Sequence, residues 1–322
     1  MTLYARASSA VTTAVVLLVA GAVPASAASV LRVGKANQVS EAIIPVNVGD
    51  QLGIFKKHGL DLEITDYGGG GKMAQAMAAG AMDIGDGAGS EMAFVAKGAP
   101  MITICESTST APFLGVGVPW DSPAKTLADL KGKIVGVSSP GSFSDWVGHE
   151  LARKEGWGEN GVQTVGIGGG PAPALAALRT HQVEAAIGNT SQFIAFAETK
   201  DARLIAPVSS FLGKVASGAL FASNQLAASN PDAIRTFLIA WMETVDYMLT
   251  HKAETIKLES AITHFNENVT SQEYDLVKGM YTKDCRFDAE SLANLKRSFT
   301  DMKLLDSEPD MSKLYTEAYL PK

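Results

Sequence analysis

The chain has 322 residues, 46 % hydrophobic and 19 % charged, which is enough for about two domains and too apolar for a disordered chain. Its formal net charge of −7 argues against a nucleic-acid partner, which would require a basic face. Two cysteines exclude a disulfide-built scaffold and a four-thiolate zinc site.

In chain order, the lone charge Arg6, an apolar run over 11–23 and the small-residue exit Pro24-Ala25-Ser26-Ala27 have the make-up of a secretory signal peptide spanning 1–27. The run is too short for a membrane span, which takes about 20 apolar residues. The expectation is a soluble periplasmic chain beginning at residue 28. Export puts Cys105 and Cys285 in oxidising surroundings. Cys105 sits in the apolar run 101–105 and is expected to act as a small buried hydrophobe. A bridge to Cys285 would need the two Cα atoms within about 7 Å, which sequence cannot show.

Short β-like runs at 31–33, 60–64, 82–84 and 101–105 alternate with helical patterns at 44–57, 72–79 and 90–97. The alternation restarts at 133–137 and continues to 202–206. Such a pattern predicts α/β architecture, with parallel sheets covered by helices. Beyond Asn224 the chain becomes helical and more charged. Its clearest helix follows Asn230-Pro231-Asp232 and carries Ile234, Phe237, Leu238, Trp241, Val245 and Met248 on one face, a packing stripe. There is also an internal echo. At an offset of 101, Met77 aligns with Leu178, Met82 with Val183 and Asp83 with Glu184. Upstream, Lys57-His58-Gly59-Leu60 resembles Lys154-Glu155-Gly156-Trp157, and two similar α/β lobes explain both.

Several segments share one logic, in which a strand ends, small residues turn the chain and a helix begins. They are Asn37-Gln38-Val39-Ser40, the glycines 68–71 before Lys72, Gly87-Ala88-Gly89-Ser90-Glu91, the Ser/Gly-rich turn 138–144, the glycines 168–170, and Gly188-Asn189-Thr190. Each offers unpartnered backbone N–H groups at a helix start, where the dipole favours negative charge. In open α/β sheets these strand ends line the ligand crevice. One helix start contributes about 0.3–1 kcal/mol toward an anion. A hydrogen bond to a charged group adds about 1.5–3 kcal/mol. Micromolar binding needs roughly −8 kcal/mol, so donors must converge from two walls.

Individual side chains keep a second reading. Ser142-x-x-Asp145 and Thr126-x-x-Asp129 are capping boxes, which makes Asp145 a cap rather than a ligand contact. Glu91 either complements a helix dipole or points into the crevice, where it would favour an amine or another donor. Lys72 is either a solvated first-turn lysine or a cation beside the ligand. Phe143, Trp146 and Phe193 are core aromatics or a stack for a flat ligand. Catalytic motifs are missing: the five histidines are scattered, Met73 replaces the P-loop Ser/Thr after Gly71-Lys72, and no G-x-S-x-G elbow occurs.

The segment Gly53-Ile-Phe-Lys-Lys-His-Gly59-Leu-Asp-Leu-Glu-Ile64, followed by Met77-Ala-Ala-Gly80-Ala-Met-Asp83-Ile-Gly85, resembles the first lobe of ABC-transporter solute-binding proteins of the nitrate/sulfonate/taurine/thiamine-precursor type. Thr126-Leu-Ala-Asp-Leu-Lys-Gly132-Lys-Ile-Val-Gly-Val137 resembles the second. The resemblance implies a type II periplasmic binding fold, with two Rossmann-like lobes joined by crossover strands near 113–118 and 217–222, and a helical C-terminal tail. Lobe 1 would comprise 28–115 and 219–322, and lobe 2 would comprise 116–218. Ligand contacts carried over are Asn37, Gln38, Ser40, Gly70, Gly71, Lys72, Gly89, Ser90, Glu91, Ser139, Ser142, Phe143, Ser144, Gly170, Asn189, Thr190, Gln192 and Phe193. The implied role is a monomeric, non-enzymatic receptor without cofactor or metal. It would pass a small polar or anionic molecule (sulfonate, carboxylate or pyrimidine-like) to an ABC permease and its ATPase. An exported enzyme of the thiamine-pyrimidine-synthase-like group and a ligand sensor for a membrane kinase are the alternatives. Ser142→Pro or Gly89→Val is expected to weaken binding without unfolding.

Overall fold

The computed structural model describes residues 2, 29–37, 40–158 and 161–321; the expected signal peptide (Thr2 apart) and Gln38 lie outside the described residues. The strands are β1 (Ser29–Lys35), β2 (Leu60–Asp66), β3 (Ile84–Gly87), β4 (Met101–Thr108), β5 (Leu114–Pro119), β6 (Ile134–Val137), β7 (Gln163–Gly166), β8 (Ala185–Asn189), β9 (Ala202–Pro207) and β10 (Gly218–Ser223). They form two five-stranded sheets, ordered β2-β1-β3-β10-β4 and β7-β6-β8-β5-β9. Within each sheet the first three strands are parallel, and one strand runs against its neighbours: β10 in the first sheet, β5 in the second. The two sheets thus repeat one topology. The chain changes sheets through 109–113 and returns through 208–217, just ahead of the expected crossovers, because β5 and β10 are full members of one sheet each.

The internal echo has a physical basis. Asp83 accepts the backbone N–H of Arg32 at 3.0 Å, and its counterpart Glu184 accepts that of Ile134 at 2.9 Å. Each acid therefore ties one parallel strand, β1 at Arg32 or β6 at Ile134, to the entry of β3 or β8. Gly59 and Gly156, at φ 79° and 70°, make the matching left-handed turns after a helix. The helix expected over 44–57 is broken in two, Pro45–Gln51 and Ile54–Lys57, at Gly53 with φ 70°.

Helix Pro231–Thr250 buries all six residues of its predicted stripe, and Phe237 stacks on Phe55 with ring centroids 5.1 Å apart. The tail reaches both sheets' surroundings. Arg297 pairs with Glu150 at 3.0 Å, and Ser191 N–H donates to Glu273 at 3.1 Å. It also runs beside β4, where Glu106 N–H donates to the Cys285 carbonyl at 3.3 Å. There Cys105 and Cys285 form a disulfide, with Cα atoms 4.5 Å apart across 180 residues of sequence. Cys105 is therefore half of a bridge and not a lone hydrophobe. No helix among the described residues is long and apolar enough to cross a membrane.

Candidate functional site

The ends of the parallel strands of both sheets face a common cavity of about 630 Å³. One wall comes from the turns after β1, β2 and β3, and the other from the turns after β6, β7 and β8. Helices Gly70–Ala78, Pro171–Arg179 and Thr190–Glu198 begin at these turns without any side-chain cap. In the first two the free first-turn amides depend on water or ligand; in the third the Thr190 N–H donates to the Phe113 carbonyl at 2.8 Å and the Ser191 N–H to Glu273. The donors are uneven: Pro171 and Pro173 carry no N–H, so the turn at 168–170 offers fewer than the turn at 68–71. Gly170 adopts φ 93°, a conformation that favours glycine.

Ser138, Ser142 and Ser144 form a hydroxyl triangle in the second wall, each pair of Oγ atoms 3.0 Å apart. Ser142 also caps helix Phe143–Lys154 by accepting the Asp145 N–H at 3.3 Å. Asp145 in turn accepts the Gly141 N–H at 2.7 Å and so acts as a cap. In the first wall Glu91 is only 5 % exposed, and its Oε2 accepts from Ser90 Oγ at 3.0 Å. Burial pushes its carboxyl up to about 7. A Cβ on Gly70 would lie 1.4 Å from Glu91 Oε1, so glycine is what admits this carboxyl beside the helix start. Behind the wall, burial pushes the Asp86 carboxyl up and the Lys35 ammonium down; Lys35 Nζ bonds Asn47 Oδ1.

Of the residues singled out from sequence, Asn37, Ser40, Gly70, Gly71, Ser90, Glu91, Ser139, Ser142, Phe143, Ser144, Gly170, Asn189 and Gln192 line the cavity. Four do not line it. Lys72 is exposed on the first helical turn. Phe193 is fully buried in the core of the second sheet. Thr190 Oγ1 donates to the Pro112 carbonyl at 2.8 Å. Gly89 packs so closely on Ala216 that a Cβ would fall 2.0 Å from its carbonyl oxygen. Gly89→Val is therefore expected to disturb folding, contrary to the sequence expectation. Ser142→Pro would likewise remove the Ser142 N–H bond to Ser139 O.

The sequence reading missed Phe94, Phe113, Ser217, Met302 and Leu304, which also line the cavity. The last two follow helix Ala289–Asp301, and no local pattern could have brought that tail to the cleft.

A family model described as "NMT1/THI5 like" matches residues 40–255. A Brucella abortus (strain 2308) protein named "Putative binding protein BAB2_1146" is 24 % identical over 221 residues, 66 % of this chain and 65 % of that protein, so the match falls short of two thirds of its length. The periplasmic aliphatic sulphonate binding protein SsuA from Escherichia coli shares the fold, with TM-score 0.74, 20 % identity, and coverage of 89 % of this chain and 92 % of that one. The desulfurization enzyme DSZB also shares it, with TM-score 0.64, 15 % identity, and coverage of 89 % and 97 %, so this fold also carries catalysis. The architecture is that of periplasmic binding proteins. Because the matched span exceeds half of its residues, the chain belongs to the NMT1/THI5-like family.

Proposed function

We propose that this protein is a periplasmic receptor, exported by the segment 1–27, that closes on a small polar organic molecule and hands it to an ABC permease and ATPase without chemical change. Lobe 1 would be 28–115 with 219–322, and lobe 2 would be 116–218. One observation carries the reading: uncapped helix starts, hydroxyls and amides from the strand ends of both sheets line a single cavity. A ligand touching both walls binds the closed form better than the open one, and that difference drives closure.

The test is small-angle scattering with thermal shift on the mature chain, using a panel of sulfonates, carboxylates and pyrimidines. Compaction and a raised Tm with one class are expected; neither response to any class would remove the proposal. A variant sharpens it. A Cβ on Gly71 would meet only Phe94 Cζ, at an ordinary 3.7 Å, and both residues line the cavity. Gly71→Leu is expected to leave Tm unchanged or higher, because glycine inside a helix costs roughly 1 kcal/mol. The same change should weaken ligand binding at least about tenfold, which is about 1.4 kcal/mol. Titration calorimetry beside a melting curve reads both effects.

A further inference from the structure

Glu91 is the only charged side chain among the described residues that line the cavity; no lysine, arginine or histidine joins it. The groups around it set no positive charge against it, although Ser90 Oγ and the nearby Ala88 and Glu91 backbone N–H groups favour its ionised form. Asp86 on β3 is a second carboxyl that opposes it. Lys35 on β1 bonds Asn47 and answers to Asp86 and Asp66. Lys72, on the neighbouring helix start, is exposed and outside the cavity lining. Leu295, which approaches Gly89 from helix Ala289–Asp301, brings no charge. Ser90 supplies a hydrogen bond, and no ion pair to Glu91 occurs among the described residues. A buried carboxylate is costly unless it is paired. The same cavity is lined by Phe94, Phe113 and Phe143, which offer apolar faces to a flat body.

Resting on the receptor reading above, we propose that the cleft selects a small organic cation, a protonated nitrogen base with a planar apolar body, whose N–H groups pair with the Glu91 carboxylate. A planar amidinium-like group can donate two parallel hydrogen bonds to a carboxylate, the strongest geometry for such a pair. An anionic ligand would instead set a second negative charge beside Glu91 at low dielectric, with only backbone and hydroxyl donors to offset it. Because burial raises the Glu91 carboxyl to about 7, pairing requires it to lose its proton. Cation affinity therefore rises with pH up to about 7 and then levels off.

The experiment uses one frame in three charge states, benzamidinium, benzamide and benzoate, with benzenesulfonate as a fourth probe, titrated calorimetrically into the mature chain. At pH 8 benzamidinium is expected to bind at least about tenfold more tightly than benzamide, and the two anions more weakly still. Below pH 7 its affinity should fall by about tenfold per pH unit, with close to one proton released per ligand bound at pH 6. Buffers of different ionisation heat read that proton without any mutation. Glu91→Gln, isosteric and checked by Tm, should remove the pH slope and the preference for benzamidinium over benzamide. Binding of the anions with the amidinium silent, or an amidinium affinity unchanged in Glu91→Gln, would overturn this inference and leave the receptor reading standing. Silence from all four probes, together with no compaction in the wider panel, would overturn the receptor reading and this inference with it.

Discussion

Between pH 5 and pH 8 the Tm of the ligand-free protein is expected to fall by at least about 10 °C. The cause is a set of carboxyl groups held away from water. Glu41 in the short turn Glu41–Ile43, Glu259 in helix Lys252–Thr263 and Glu273 in helix Glu267–Val277 are buried within reach of one another's charge. Burial pushes all three up, and mutual repulsion raises Glu41 and Glu259 further. Glu91 and Glu106 rise from 4.5 to about 7, again chiefly by burial.

A carboxyl raised in the folded state stabilises fully below its unfolded pKa. That contribution is lost as pH climbs through the folded value. The loss therefore runs from about pH 4.5 to about pH 8. Each group gives up roughly 1.4 kcal/mol for every pH unit that separates its unfolded pKa from its folded one. Groups of the opposite kind, such as Asp83 held down beside Arg32 and Asp288 beside Lys214, lose their contribution only on the acid side. Maximum stability should then lie near pH 5. Scanning calorimetry at constant ionic strength checks this. A Tm that is flat or rising from pH 5 to pH 8 would show these carboxyls to be hydrated.

Replacing both Cys105 and Cys285 by alanine is expected to destabilise the protein by about 3–5 kcal/mol and to lower Tm by roughly 10 °C. The bridge closes 180 residues of chain, and long loops give a disulfide its largest effect on the unfolded state. It also holds the tail against β4 beside polar ties that depend on register. Glu106 accepts the Asp288 N–H at 2.9 Å and the Ser291 hydroxyl at 2.5 Å, and Thr103 shares a bridge with Tyr315. Both cysteines are fully buried, so substitution is a cleaner probe than a reductant acting on the native protein. Urea unfolding of the variant should show a lower midpoint. A stability within about 0.5 kcal/mol of wild type would assign the tail's attachment to the hydrogen bonds alone.

Much of the scaffold was legible in the residues, because its signals are local. Strand-to-helix alternation, the matching segments that end at Gly59 and Gly156, and Ser142 as an N-cap each act within a few positions, whereas the expected helix over 44–57 ran through the break at Gly53. The echo of Asp83 in Glu184 reported a repeated tie between parallel strands, since one geometry requires an acceptor at that point in both halves. The turns after β1, β2, β3, β6, β7 and β8 could be named for the same reason: a parallel strand must hand over to a helix there.

What the sequence by itself determined, then, is the alternating scaffold and the turns at its strand ends. Only the tertiary structure decided which side chains at those turns face the cavity. Gly89, Thr190 and Phe193 belong to the turns yet are taken up by packing against Ala216, Pro112 and the second core, while Glu91 is admitted because Gly70 leaves room. Met302 and Leu304 reach the cleft, and Cys285 reaches Cys105, from far along the chain. Periodicity and capping act over a turn or two of backbone. Those approaches depend on how separately formed elements pack, and nothing in a short window of residues encodes that distance.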